Sequence, residues 1–194
     1  QMITYKNIIE IFQNIATNHY EINSFHTGTL DEVDINKLNK KDYPILYVEP
    51  STTNVDRGVL TYTFNVYTMS LIDDDITDKQ TDQTDGVTEV TTETNRQQVW
   101  STMLQVMQDI IAEYRQNLSI QTSSVRYGEV ADPGKKFSFV PNEIVLNMPV
   151  SVEPFTVRFA NMLTGWTSTF SIQVNNPNSL CDAPIELSND LPNT

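Results

Sequence analysis

Few residues in this chain have the type and spacing to do chemistry. His19 and His26 are the only histidines, and Cys181 is the only cysteine. The two histidines are seven positions apart, which matches no common zinc pattern, so both read as capping or solvent-facing side chains. Cys181 lies in a proline- and asparagine-rich stretch with no histidine beside it. A reactive thiol needs surroundings that stabilise the thiolate, so Cys181 reads as an ordinary small residue. A lone cysteine also excludes an internal disulfide framework and a cysteine-based zinc site, and it fits a reducing compartment. No serine sits in a glycine-flanked elbow. The six glycines are dispersed, which excludes both the phosphate-binding loop and the dinucleotide fingerprint.

Carboxylates are plentiful and concentrated. Asp73, Asp74, Asp75, Asp78, Asp82, Asp85, Glu89 and Glu93 face a single Lys79 between positions 73 and 93, and threonine fills most of the rest. A calcium loop of the helix–loop–helix type requires glycine at its sixth position and glutamate at its twelfth. Counted from Asp73 these positions hold Asp78 and Thr84, so that pattern fails. Paired acids for hydrolytic chemistry need apolar surroundings that raise one pKa, and this run has almost none. We therefore expect no catalytic residues, no cofactor and no metal site: the chain reads as a non-enzyme. The run is too polar to order itself, and reads as a mobile loop or a two-stranded arm around Gly86.

The elements that must position these residues follow from hydrophobic periodicity. Residues 4–17 read as a helix with Thr4 as N-cap, an Ile3–Ile8 staple, and an apolar stripe of Ile8, Ile11, Phe12 and Ile15. Residues 21–30 read as a short strand turning at Gly28, 31–42 as a loop or short helix, and 44–48 as a buried strand ended by Pro50. In 59–71, Leu60, Tyr62, Phe64 and Val66 alternate with polar residues, after which Tyr67, Met69 and Leu71 continue on the other parity. A bulge or strong twist near Val66 is the expected cause. Residues 95–116 form a long helix, with Thr94 and Gln97 at capping-box spacing and a stripe running from Val99 to Tyr114. Strands are expected at 120–127 and 143–152, around Phe155 to Phe159, and from Trp166 to Val174 after a turn at Gly165. Trp100 and Trp166 read as core or interface residues.

Composition bounds the rest. The chain's 194 residues suit one domain, 39% are apolar, and the formal charge is −13 with a pI near 4.3. A surface so acidic repels phosphate backbones and anionic lipid, which argues against sequence-specific nucleic-acid binding and against a membrane surface. Glu10 and the regular polar positions around it argue against a signal peptide. The expected fold is α+β: a mostly antiparallel twisted sheet packed by a short N-terminal helix and one long helix. It forms a single domain over 2–174, with an acidic excursion at 73–94 and an extended C-terminal arm at 175–194. Leu180, Ile185 and Leu187 are among the apolar residues that arm could offer a neighbouring subunit.

The order of elements resembles the ring-forming tail terminator and tail completion proteins at the neck of tailed bacteriophages. The likeness rests on the helix at 5–16, the strand at 60–71, the helix at 96–114, and the ending Leu163-Thr-Gly-Trp-Thr-Ser-Thr-Phe-Ser-Ile-Gln-Val. The closing Asn175-Asn-Pro-Asn-Ser-Leu-Cys-Asp-Ala-Pro also resembles chain ends in structural proteins of crAss-like gut phages. The resemblance implies a virion protein assembled in the host cytoplasm. It would form a homo-oligomeric ring with copies of itself, contact neck, portal or tail-tube proteins, and let DNA pass through its bore. It brings no catalytic residues. A binding or adhesion module that uses the acidic run for a basic partner or a cation is the alternative.

Overall fold

The computed structural model describes residues 3–29, 38–72, 83–84, 87–88, 95–120, 144–158 and 162–176. In chain order these form α1 (Tyr5–Asn18), β1 (Ser24–Thr27), a 3-10 turn (Lys40–Asp42), β2 (Ile45–Asp56), β3 (Val59–Leu71), β4 (Gln83–Thr84), β5 (Val87–Thr88), α2 (Arg96–Ile120), β6 (Ile144–Leu146), β7 (Val152–Arg158) and β8 (Met162–Asn175). The fold is α+β. One sheet runs β1-β2-β3-β8-β6, with β7 also on β8, and it is antiparallel except for the β1–β2 pair. A separate antiparallel pair, β4 with β5, lies inside the acidic excursion.

Helix α1 begins where its sequence signals put it. Thr4 Oγ1 accepts from the Asn7 amide at 3.4 Å, and Asn7 Oδ1 accepts in return from the Thr4 amide at 2.9 Å. Asn7 thus takes the position usually held by Glu or Gln in a capping box. Ile3 and Ile8, the staple residues, are both buried. The apolar stripe of α1 lands on the sheet beside α2, and Phe12 is its centre. The Phe12 ring lies 5.6 Å from Phe64 on β3, 5.8 Å from Phe170 on β8 and 5.1 Å from Tyr114 on α2. Edge-on and tilted contacts at these distances are the favoured aromatic geometries.

The parity change in β3 has a different origin from the bulge expected near Val66. β3 pairs β8 without a slip from Val59↔Asn175 to Leu71↔Leu163. Tyr62, Phe64, Val66 and Thr68 keep one face, under the helices. Tyr67, Met69 and Leu71 belong to a second apolar cluster with Tyr43, Ile45, Tyr47 and Leu163. This end of the sheet is buried on both faces, so both parities carry apolar side chains. The bulge lies in β2 instead, where the register shifts between Pro50 and Thr53.

Other expectations change at their boundaries. β2 runs through Pro50 to Asp56 rather than stopping. β1 pairs it only as far as Val48, so the donor that proline lacks falls on an edge with no strand beside it. The strand expected over 143–152 is broken into β6 and β7, both on the outer edge of β8. Leu146 pairs Ile172 and Val152 pairs Ser168, so two extra residues loop out between them. Helix α2 extends to Ile120, which removes the start of the strand expected at 120–127. The remainder of that strand, Phe159 and the Thr94 cap lie outside the described residues. The first strand shrinks to Ser24–Thr27.

Gly165 makes no turn. It sits inside β8, opposite Met69 on one side and Phe155 on the other. A β-carbon there would overlap the Thr68 carbonyl oxygen and press on Met69 Cα, so the backbones approach more closely than any side chain allows. Gly165→Ala should therefore lower unfolding free energy by about 1–3 kcal/mol. A denaturant midpoint equal to that of the parent protein would contradict the close approach.

Candidate functional site

The acidic residues that sequence reading singled out, Asp73, Asp74, Asp75, Asp78, Asp82 and Asp85, lie outside the described residues. So do Leu180, Ile185, Leu187 and Cys181. The structure does fix where both segments leave the body. The acidic excursion starts after Ile72, just past the end of β3, and returns at Asn95, at the start of α2. The C-terminal segment starts after Asn176, whose N–H donates to Gly58 O at 2.9 Å at the tip of the β2–β3 hairpin. β3 and β8 are antiparallel, so these two exits lie at opposite ends of the sheet. Twelve residue steps along β3 place them about 40 Å apart.

Charge divides the same way. Of 25 acidic and 12 basic residues, eight and seven respectively fall among the described residues. The described body is close to neutral, with a formal charge of −1, and the remaining −12 belongs to the other segments.

The root of the acidic excursion is anchored by a hydrogen-bonded layer between α2 and the sheet. Trp100 Nε1 donates to Thr164 Oγ1 at 2.6 Å, and Trp166 Nε1 donates to Trp100 O at 2.8 Å. Thr68 Oγ1 donates to Met103 O at 3.0 Å, and Thr164 Oγ1 to Phe155 O at 2.8 Å. Thr68 and Thr164 are fully buried, and their size lets the helix backbone come within reach of a hydroxyl. Arg96 caps the layer, its guanidinium 5.1 Å from the Trp100 ring centre, a distance at which the ring face attracts a cation. Trp100 and Trp166 are thus packing residues with both indole N–H groups used internally.

The histidines are partnered, each in its own place. His19, the C-cap of α1, accepts the Glu21 N–H at Nδ1 (3.1 Å). Its Nε2 therefore carries the proton and donates to Asp109 Oδ2 on α2 at 3.0 Å. That tautomer joins the two helices. His26 is on β1, with Nε2 3.2 Å from Ser24 Oγ. Ser24 Oγ donates to Asp42 O at 2.6 Å, while Asp42 Oδ2 accepts from the Asn39 amide at 2.7 Å. Serine, histidine and aspartate meet here, yet the serine proton is directed at a main-chain carbonyl, which cannot take it up. A nucleophile needs that proton directed at a base. The group ties β1 to the 3-10 turn, and the sequence signal for it was only the alternation of Ser24 and His26. Among the described residues no cluster of three or more His, Cys, Asp or Glu is arranged to hold a metal ion, and no helix is long and apolar enough to cross a membrane. No known protein family matches the chain, and no curated protein matches it.

Burial holds the His26 pKa below its ordinary 6.5, against an opposing pull from Asp42. The unfolded chain then takes up a proton below pH 6.5 that the folded chain resists, so stability falls as pH drops through that value. His26→Gln should flatten the decline between pH 7 and 5 in denaturant titrations, and an unchanged slope would contradict it. Tyr43 has a buried hydroxyl without a hydrogen-bond partner among the described residues, and burial, then Asp42, pushes its pKa up. An unpaired buried hydroxyl costs about 1–3 kcal/mol. Tyr43→Phe should accordingly unfold at equal or higher denaturant than the parent, and a clear loss of stability would reveal a hidden acceptor.

Proposed function

We propose that this chain is a structural subunit of a bacteriophage neck or tail, of the tail terminator or connector type, acting as a ring of copies that joins components and lets DNA pass. The observation that carries this reading is the polarity of the body. Two segments rich in polar and acidic residues leave a near-neutral body from opposite ends of one antiparallel strand pair. Head-to-tail contacts that close around an axis need different surfaces at the two ends of a subunit. Segments too polar to build a core of their own commonly order against a neighbour. The concentration of charge outside the body also has a use in a ring: an acidic excursion at the bore repels passing DNA and keeps it from sticking.

Light scattering at high protein concentration, with negative-stain imaging, tests the reading. The expected result is a closed homo-oligomer with a central channel. A protein that stays monomeric and binds no portal, neck or tail-tube protein would sink it.

A further inference from the structure

The β2–β3 hairpin has a feature that the body itself does not use. β1 covers β2 only from Ile45 to Val48. From Glu49 to Asp56 the outer edge of β2 has no strand beside it among the described residues. Exposed strand edges are templates for pairing with another chain, and proteins blunt those they do not use. The first part of this edge is blunted, by Pro50 and by the register shift that ends at Thr53. The last part is not. Residues 53–56 return to regular pairing with β3, from Thr53↔Tyr62 to Asp56↔Val59, and on their outward side no strand pairs them among the described residues. Residues 51–56 are all exposed, and Val55 retains 76% of its accessible surface, the largest such value for an aliphatic side chain in the described body.

The chain supplies a segment of suitable length and position. β8 ends at Asn175 opposite Val59, so residues 177–194 depart beside the hairpin tip. Those 18 residues span roughly 60 Å when extended, whereas four edge residues need about 13 Å. Ile185 and Leu187 have strand spacing within it, and its charges are Asp182, Glu186 and Asp190 with no basic residue. Arg57 at the hairpin turn provides a cation next to the edge.

We infer that the β2 edge at residues 53–56 accepts residues 177–194 of a second copy as an added strand, the pairing mode in which main-chain hydrogen bonds supply affinity and alternate side chains supply specificity. The inference rests on the ring reading and names the contact through which one subunit would hold the next. Each subunit offers one edge and one segment, so a copy that receives a segment on its edge still has its own segment to give to the next.

The lone cysteine makes the contact directly testable in the full-length protein. Thr53→Cys, Asn54→Cys and Val55→Cys change exposed positions, and whichever of them the docked segment brings opposite native Cys181 pairs with it under mild oxidation. The expected result is a ladder of covalent oligomers on a non-reducing gel from at least one variant, lost when Cys181→Ser is added. Ile185→Asp combined with Leu187→Asp should also reduce the oligomer seen by light scattering. An oligomeric parent protein with no ladder from any of the three positions overturns the docking while leaving the ring reading intact. A faster-migrating monomer band would mean closure within one chain and overturns it too. A parent protein that is monomeric throughout, with no ladder, removes the docking and the ring together.

Discussion

The pairing of β3 with β8 is the constraint on which the rest of the molecule depends. It joins residues about 100 positions apart in an unbroken register along the whole of β3. Closing so long a loop is entropically unfavourable until the contacts it brings together are made. What those contacts supply is the central stripe Tyr62, Phe64, Val66, Phe170 and Ile172, against which Phe12, Met107, Ile110 and Tyr114 pack. Every other strand of the main sheet attaches to one member of the pair: β2 to β3, β6 and β7 to β8, and β1 in turn to β2.

The same pair gives the body its two different ends. At one end, Gly165 draws the strands together, both faces are buried, and Thr68 and Trp166 hold α2 by its carbonyl groups. This is the root of the acidic excursion. At the other end, β2 outruns β1, its residues 51–56 are exposed, and the C-terminal segment departs. A body that is nearly neutral between these exits can approach another copy without the repulsion that its full charge of −13 suggests, because like charges must meet at short range for repulsion to dominate in salt.

Two groups that resemble reactive sites are better understood as fastenings. The His19–Asp109 contact joins the end of α1 to the middle of α2, and Ser24, His26 and Asp42 hold β1 against the turn that precedes β2. In both, the direction of each hydrogen bond decides the role. An imidazole whose second nitrogen accepts a backbone N–H has its tautomer fixed, and a serine whose proton goes to a carbonyl has no base to activate it.

Local patterning in the sequence determined both helices, the Thr4 cap and the α+β class, because amphipathic stripes and capping residues are short-range signals. It also determined the acidic concentration at 73–93 and the polar ending, though the residues named there lie outside the described structure. Tertiary structure alone decided what happens on the second face of the sheet. Tyr67, Met69 and Leu71 read as a slipped register because a single strand cannot reveal that both its faces are covered. Gly165 read as a turn because a glycine needed for close backbone approach looks the same in sequence as one needed for a reversal. Pro50 read as a stop because the length of β1, which leaves that edge open, is not encoded near Pro50. Ser24 and His26 showed only their spacing, since Asp42 reaches them through the parallel β1–β2 pairing. In each case the deciding partner is distant in sequence, and only folding brings it into range.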